Sequence, residues 1–304
     1  MNRCLTDGEA KRMTAPKRGL TNEQFAWLLI IPLLIFAVGI VAYPLGYSFW
    51  LSLNKINFAI GMFEFDWFGQ YATFLKDPNA AYYTLTSLRF TAESVVLCMG
   101  LGLAMALVLN EAFPGRRLVR VTTLLPWAVS EFATAVIWRY MYNPDLGIIT
   151  GMASILGLQA PGQIITSDNA VECLSIAYSW HFSPLIAFFL LSGLQTVPEE
   201  LYRAAKIDGA GALRRFWSII LPHLRYAILV SLVLITLEAA RAVDIILILT
   251  AGGPGIASET LTYHIFRESF INLNMGIGSA VSYILLIIIV AIAIVYFLLL
   301  TRKK

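Results

Sequence analysis

Six long apolar runs dominate the sequence and restrict what the chain can fold into. Each is close to or longer than the roughly 20 residues that a helix needs to cross the hydrocarbon core of a bilayer. Backbone groups within lipid must be hydrogen-bonded inside the protein, so each run is predicted to be a transmembrane helix. The runs cover residues 26–53, 85–110, 119–142, 170–194, 224–250 and 277–300.

The composition supports a membrane protein and argues against several other classes. Hydrophobic residues make up 58% of the 304 residues and charged residues only 13%, whereas a soluble domain is about 25% charged. This balance argues against a water-soluble enzyme, a disordered chain and a nucleic-acid-binding protein. Three cysteines make no disulfide framework. Cys98 and Cys173 lie inside apolar runs and are expected to be buried free thiols.

The first run is too long for the apolar core of a signal peptide, and no small-residue cleavage site follows it. We therefore expect it to be retained as a membrane helix. The predicted domains are a polar N-terminal tail over residues 1–24 and a transmembrane domain over residues 25–304. Two connections in that domain stand out, an external loop at 54–84 and a cytoplasmic loop at 195–223.

The positions of Lys and Arg predict the orientation of the chain. Sixteen of the 22 Lys and Arg residues flank the runs on one side, three lie on the other side and three lie inside runs. Short loops rich in Lys and Arg remain in the cytoplasm. Both termini and the loop 195–223 are therefore predicted to be cytoplasmic.

The longest connection between runs on that side reads QTVPEELYRAAKIDGAGALRRFWSIILPH, residues 195–223. Thr196 and Glu199 have capping-box spacing, which predicts a short helix through about Ile207. The Asp-Gly pair that follows predicts a turn, with Gly209 in the left-handed conformation.

A second short helix is predicted from about Ala212 towards Pro222. Leu201, Ala204 and Ala205 share one face of the first helix. Small residues on an apolar face allow another backbone to approach closely, so the helix pair has the character of a plug for a partner's groove. An amphipathic hairpin that rests on lipid headgroups fits the same periodicity.

Charged residues inside the runs each require a reason, because each costs about 2.5–3.5 kcal/mol at a helix centre. They are Arg89, Glu93, Glu131, Arg139, Glu238, Arg241 and Asp244. Arg89 and Glu93 have i, i+4 spacing, and the last three residues are predicted to neutralise one another along one helix edge. Such charges either form a salt-bridge ladder that holds helices together or line a path for a hydroxyl-rich solute.

The fourth run contains SWHFSPL at residues 179–185. Pro184 has no N–H to donate to the carbonyl of Trp180, so a kink or an opening of the helix is predicted there. Trp180, His181 and Ser183 surround this position near mid-span and would suit a sugar ring. Packing at a kink is the alternative, and a lone histidine on such a helix is more often structural.

The sequence lacks the motifs of ATP binding and of hydrolytic catalysis. It contains no GxxxxGK[ST] and no HExxH, and His181, His223 and His264 do not have metal-ligand spacing. An intramembrane enzyme is an alternative function, weakened by the lack of a nucleophile elbow. An ion-coupled secondary transporter is the other, and the lack of an inverted repeat disfavours it.

The loop 195–223 also carries a family resemblance. It contains Ala-Ala, three residues, Gly, nine residues, Ile, one residue and Leu-Pro, at Ala204, Ala205, Gly209, Ile219, Leu221 and Pro222. This pattern resembles the signature loop of the permease subunits of binding-protein-dependent ABC importers, although Arg203 stands where the family usually has glutamate. Four segments resemble the sugar-importing branch, of the maltose, glycerol-phosphate and trehalose type: residues 113–120, 124–144, 208–224 and 250–263.

The resemblance implies an all-α polytopic membrane protein with six transmembrane helices and the fold of type I importer permeases. It implies half of a translocation pathway for a carbohydrate or related polyol, in the bacterial inner membrane. The implied partners are a second, similar permease, two cytoplasmic ATPase subunits and an extracytoplasmic solute-binding protein. ATP and Mg would bind the ATPase, and this chain would hold no cofactor or metal and catalyse no covalent chemistry.

The resemblance also makes the loop 195–223 the coupling helix region, which sits in a groove of the ATPase. The residues expected to couple are Glu200, Arg203, Ala204, Ala205, Asp208 and Gly209. The residues expected to border the solute path are Trp180, His181, Ser183, Glu131, Glu238, Arg241 and Asp244. Because Arg203 cannot replace the docking charge of a glutamate, we expect it to pair with Glu199 at i, i+4 and expect shape to dominate docking. Glu199 or Glu200 is available to supply the charge.

Overall fold

The computed structural model describes residues 21–156 and 163–301 of the chain. The described part is mostly α-helical, with one antiparallel pair of strands. It divides into two compact units, Met1–Trp50 and Leu51–Lys304.

The helices of the first half are α1 (Asn22–Ala37), α2 (Tyr43–Ser52), α3 (Gly69–Leu75), α4 (Ala80–Asn110), α5 (Arg116–Thr123), α6 (Leu125–Ala128), α7 (Glu131–Met141) and α8 (Ile148–Ile155). Those of the second half are α9 (Ala170–Leu194), α10 (Glu199–Ile207), α11 (Ala212–Arg215), α12 (Leu221–Ala240), α13 (Asp244–Leu249), α14 (Leu261–Phe266) and α15 (Met275–Thr301). Among the described residues, three π-helical segments lie at Val38–Ala42, Phe216–Ile220 and Arg267–Ile271. The strands are β1 (Asn54–Asn57) and β2 (Met62–Phe65).

The first unit is a long helix with apolar residues exposed along its length. It begins at Asn22, inside the predicted tail 1–24, because Thr21 and Gln24 form a capping box. Tyr43, Tyr47 and Trp50 stack in succession along one side. A helix that is apolar all round suits lipid or a protein partner rather than water.

Five helices of the described residues are long and apolar enough to span a membrane. A sixth span exists only if the segments Arg116–Ala128 and Glu131–Met141 count together, and the chain bends by 91° between them. The run 119–142, predicted to be one transmembrane helix, is therefore two helical segments joined by a bend. The bend is stable because Ser130 accepts a hydrogen bond from the backbone N–H of Ala133 (3.2 Å) and so begins a new helix.

The fifth apolar run, 224–250, is also divided. Helix α12 ends at Ala240 and α13 begins at Asp244, with Arg241 as the C-terminal cap of α12. The predicted arrangement of Glu238, Arg241 and Asp244 along one helix edge is therefore wrong, because the three residues flank a break.

Two of the π-helical segments in the described residues lie directly before prolines. Tyr43 donates its backbone N–H to Val38 ahead of Pro44, and Leu221 donates to Phe216 ahead of Pro222. A proline removes one donor and crowds the carbonyl four residues earlier, and a π-turn relieves this by moving the bonds to i−5. The loop helix that was expected to run only towards Pro222 therefore continues, and Ala212–Ala240 forms one span.

Helix α9 is the most buried span and packs mainly against α4 and α12. Glycines allow this close approach, since a Cβ at Gly102 would lie 2.8 Å from Ile186 Cγ2 and one at Gly193 2.8 Å from Ala227 Cβ. The helix is not interrupted at Pro184, so the opening predicted there does not occur. Cys98 and Cys173 pack in this core as free thiols, as expected.

Candidate functional site

The loop 195–223 presents α10 as an exposed helix. Its predicted end at Ile207 is confirmed, but the predicted capping box is not formed, since Pro198 occupies the N-cap position without a side-chain cap. The Thr196 hydroxyl instead donates to the carbonyl of Gly193, 2.8 Å away. Thr196 therefore extends the end of α9 rather than starting α10.

Gly209 ends α10 in the conformation that its sequence predicts, with φ of +71°. The N–H of Ala210 donates to Ala205 (2.9 Å) and the N–H of Gly209 donates to Lys206 (3.1 Å). These two bonds form a Schellman motif, which satisfies the last carbonyls of the helix. No atom lies within 4 Å of a Cβ placed on Gly209, so its backbone conformation, not crowding, requires glycine.

The charged residues of α10 are largely exposed. Arg203 pairs with Glu199 at 2.8 Å, as predicted, with 75% and 83% of the two side chains exposed. Glu200, Ala204 and Asp208 are exposed and Ala205 is half-buried. A pair this exposed contributes little to stability.

A polar cluster lies between α7, α9, α12 and α13. It brings Glu238, Arg241 and Asp244 within electrostatic reach of Glu131. Arg241 binds Glu238 through both carboxylate oxygens, with Nη2 2.6 Å from Oε1 and 2.5 Å from Oε2. Asp244 forms no ion pair within the described residues, so the predicted triad reduces to a pair beside a separate carboxylate.

Sequence reasoning missed Tyr178, an aromatic member of this cluster, and Trp138, which lies on α7 with Glu131. Tyr178 is fully buried, within electrostatic reach of Glu131 and Glu238. Its hydroxyl, the indole N–H of Trp138 and Oε1 of Glu131 are buried without a hydrogen-bond partner among the described residues. Buried polar groups normally have a hydrogen-bond partner, so these groups suit the hydroxyls of a solute. Glu131 and Trp138 are seven residues apart, which places them on one face of a helix. This spacing is the sequence feature that could have identified Trp138.

The residues around Pro184 have different surroundings. Trp180 is 38% exposed. His181 is buried and donates from Nδ1 to the Pro126 carbonyl (2.9 Å), with the Thr134 hydroxyl 3.2 Å from the same nitrogen. Ser183 is buried and donates to the Ser179 carbonyl. His181 and Ser183 thus hold the interior of the chain together, and Trp180 alone presents a surface.

Arg89 and Glu93 form the predicted i, i+4 pair at 2.8 Å. Arg89 also pairs with Glu172 at the start of α9, and the Ser175 hydroxyl donates to Glu93 (3.3 Å). This group ties α4 to α9, so a structural role is assigned to it.

A cavity of about 580 Å³ lies beside the GGPG turn. Its lining includes Arg139, Tyr142 and Asn143, with Thr250 from the end of α13. Arg139 donates to the Ile248 carbonyl (3.3 Å), which holds α7 against α13. The predicted tight turn at 252–255 is present, with positive φ at both of its outer glycines.

The sequence and the fold match known transport proteins. Residues 98–303 match the family described as "Binding-protein-dependent transport system inner membrane component". The chain is 37% identical over 276 residues to the trehalose/maltose transport system permease protein MalF of Thermococcus litoralis, covering 90% of this chain and 93% of that protein. It is 34% identical over 278 residues to the trehalose transport system permease protein SugA of Mycobacterium tuberculosis, covering 91% and 89%.

Among solved structures, the fold is similar to a chain of a bacterial alginate ABC transporter in complex with an alginate pentasaccharide-bound periplasmic protein. The TM-score is 0.78 and the match covers 91% of this chain and 94% of that chain. The identity is 18%, so this likeness shows the fold alone.

Proposed function

Because the chain belongs to the family of inner-membrane components of binding-protein-dependent transport systems, and is a transmembrane subunit of an ABC sugar importer, we propose that it forms half of a pathway for a carbohydrate or related polyol. It is a multi-pass membrane protein and a transport permease, not an enzyme. The names of its relatives, which refer to trehalose and maltose, support this class of solute.

The observation that carries the coupling role is the exposed helix α10. It combines small residues at Ala204 and Ala205 with a Schellman turn at Gly209. An exposed helix of this kind can enter a groove and transmit a displacement. We propose that this groove belongs to the ATPase subunit. Glu200, Arg203 and Asp208 would lie at the edge of the groove.

The proposed solute path runs beside the cluster of Glu131, Tyr178, Glu238 and Arg241. Its unpartnered buried hydroxyl and carboxylate can exchange hydrogen bonds with sugar hydroxyls. Trp180 supplies an exposed aromatic face for the apolar side of a sugar ring.

The proposed assembly contains a second permease, two ATPase subunits that bind ATP and Mg, and an extracytoplasmic solute-binding protein. It lies in the bacterial inner membrane with both termini of this chain in the cytoplasm, because Lys and Arg are concentrated on that side. This chain itself would bind no cofactor. The cavity beside the GGPG turn would face the binding protein.

The proposal is tested by reconstituting the complete importer in vesicles and measuring uptake of radiolabelled trehalose and maltose. Uptake should stop when the ATPase is inactivated and continue when the proton gradient is collapsed. The reverse pattern would identify an ion-coupled transporter. A binding protein that recognises amino acids but none of a panel of sugars and polyols would overturn the solute class.

A further inference from the structure

A second cavity, of about 590 Å³, lies at the predicted cytoplasmic end of α4 and α9, beside α5, α10 and α11. Six of the residues that line it are charged. They are Glu111, Arg116, Glu199, Arg203, Lys206 and Arg215. Four cations thus face two carboxylates in one partly enclosed space.

The cations are not all neutralised within the cavity. Glu199 is paired with Arg203, which leaves Arg116, Lys206 and Arg215 against the single carboxylate of Glu111. Arg116 directs its Nε to the Leu109 carbonyl (2.8 Å) and retains its charge. The cavity therefore attracts an anion.

Two further donors sit at this site. Nε of Arg215 is buried and has no hydrogen-bond partner among the described residues. Burial and the nearby Glu111 raise the pKa of the Tyr202 hydroxyl, although Arg215 opposes this. Tyr202 therefore keeps its proton and can donate it in a hydrogen bond.

The residues that flank the cavity indicate where it lies relative to the bilayer. Trp217 is 60% exposed two residues beyond Arg215, and Leu118 and Val121 on α5 are 69% and 60% exposed close to Arg116. Exposed tryptophan and aliphatic residues beside arginines are typical of the boundary between acyl chains and headgroups. A free phosphate ion would make no use of these apolar neighbours.

We propose that this cavity binds the phosphate of an anionic phospholipid headgroup. The phosphate oxygens accept hydrogen bonds from Arg215, Lys206 and Tyr202, while the acyl chains lie along the exposed apolar residues of α5. Basic pockets between helices on the cytoplasmic side of membrane proteins suit such headgroups. The bound lipid would contact Tyr202 and Lys206 of α10, so the lipid composition of the membrane would affect coupling to the ATPase.

The test uses the assembled importer in nanodiscs of phosphatidylcholine with added phosphatidylglycerol. Native mass spectrometry would count the phosphatidylglycerol molecules that remain bound. Arg215→Gln should weaken retention of one molecule about fivefold, the effect of one cation near a charged surface. Lys206→Gln, at an exposed position that does not threaten folding, should weaken it in the same direction.

Arg214→Gln is the matched control, because Arg214 is the exposed neighbour of Arg215 and does not line the cavity. It should leave retention unchanged. Equal losses with Arg214→Gln and Arg215→Gln would mean binding by general surface charge and would overturn the site. The same follows if the wild type retains no phosphatidylglycerol, or if inorganic phosphate added in detergent displaces the lipid completely, since the site would then serve a soluble anion.

Discussion

Trp138 on α7 and Trp180 on α9 meet edge to face, with ring centroids 6.2 Å apart and ring planes at 71°. Trp138 is 8% exposed and Trp180 38%. The buried indole thus packs against the exposed one. An aromatic side chain held in this way presents a stable face to a solute, and this geometry makes Trp180 the most direct test of the proposed path.

Trp180→Ala should reduce sugar uptake about two- to tenfold, the effect of losing one aromatic contact. Assembly and basal ATP hydrolysis should be unchanged, because Trp180 lies in α9 and not in the proposed coupling helix α10. Uptake by reconstituted vesicles measures the effect. Trp180→Phe keeps an aromatic ring, so this variant should retain most of the wild-type uptake. Normal uptake by the alanine variant would remove α9 from the solute path.

Gly209→Val should abolish solute-stimulated ATP hydrolysis while the protein reaches the membrane in normal amounts. A valine at φ of +71° costs roughly 1–2 kcal/mol, so the end of α10 would rearrange. Gly211→Val is the control, since Gly211 has φ of −64° and open space around it. Stimulated hydrolysis that is equal in both variants would argue against coupling through this turn.

Arg203→Glu should be tolerated. It breaks the pair with Glu199, but both side chains are largely exposed and the pair contributes little. It also restores the residue that the family usually has, so transport should stay near the wild-type rate. Transport that disappears in this variant but survives in Arg203→Ala would show that the groove of the ATPase selects for charge rather than shape.

Gly102→Ala should destabilise the protein by about 1–3 kcal/mol, the usual effect of adding a methyl group to a packed core. The new Cβ would lie 2.8 Å from Ile186 Cγ2 and 3.2 Å from the backbone N of Ala187. Thermal unfolding of the complex in detergent measures the loss. Gly100→Ala on the same helix meets no atom within 4 Å and should leave the unfolding temperature the same or slightly higher.

Local patterns predicted several features correctly. The left-handed Gly209, the Arg203–Glu199 pair and the end of α10 near Ile207 each depend on residues within one or two helical turns. The family motif in the loop 195–223 likewise lies within one stretch of sequence. Interactions of this range are recorded in the spacing of the residues, so they can be read without knowledge of the fold.

Local patterns failed where a competing partner decided the outcome. Thr196 has the spacing of a capping box but donates to Gly193 at the end of the preceding helix. Pro222 reads as the end of a helix, yet a π-turn carries the helix past it. In both cases two local hydrogen-bonding arrangements were available, and the spacing of the residues does not distinguish between them.

The sequence by itself determined which segments leave water, since that preference sums over the side chains of each apolar run. Only the tertiary structure decided where the runs over 119–142 and 224–250 break and which polar groups then meet. The breaks depend on hydrogen bonds and packing between helices that are distant along the chain, as with Arg139 and Ile248. Tyr178 joins Glu131 and Glu238 for the same reason. The sequence spacing of these residues does not reveal a contact that forms only when α7, α9 and α12 pack together.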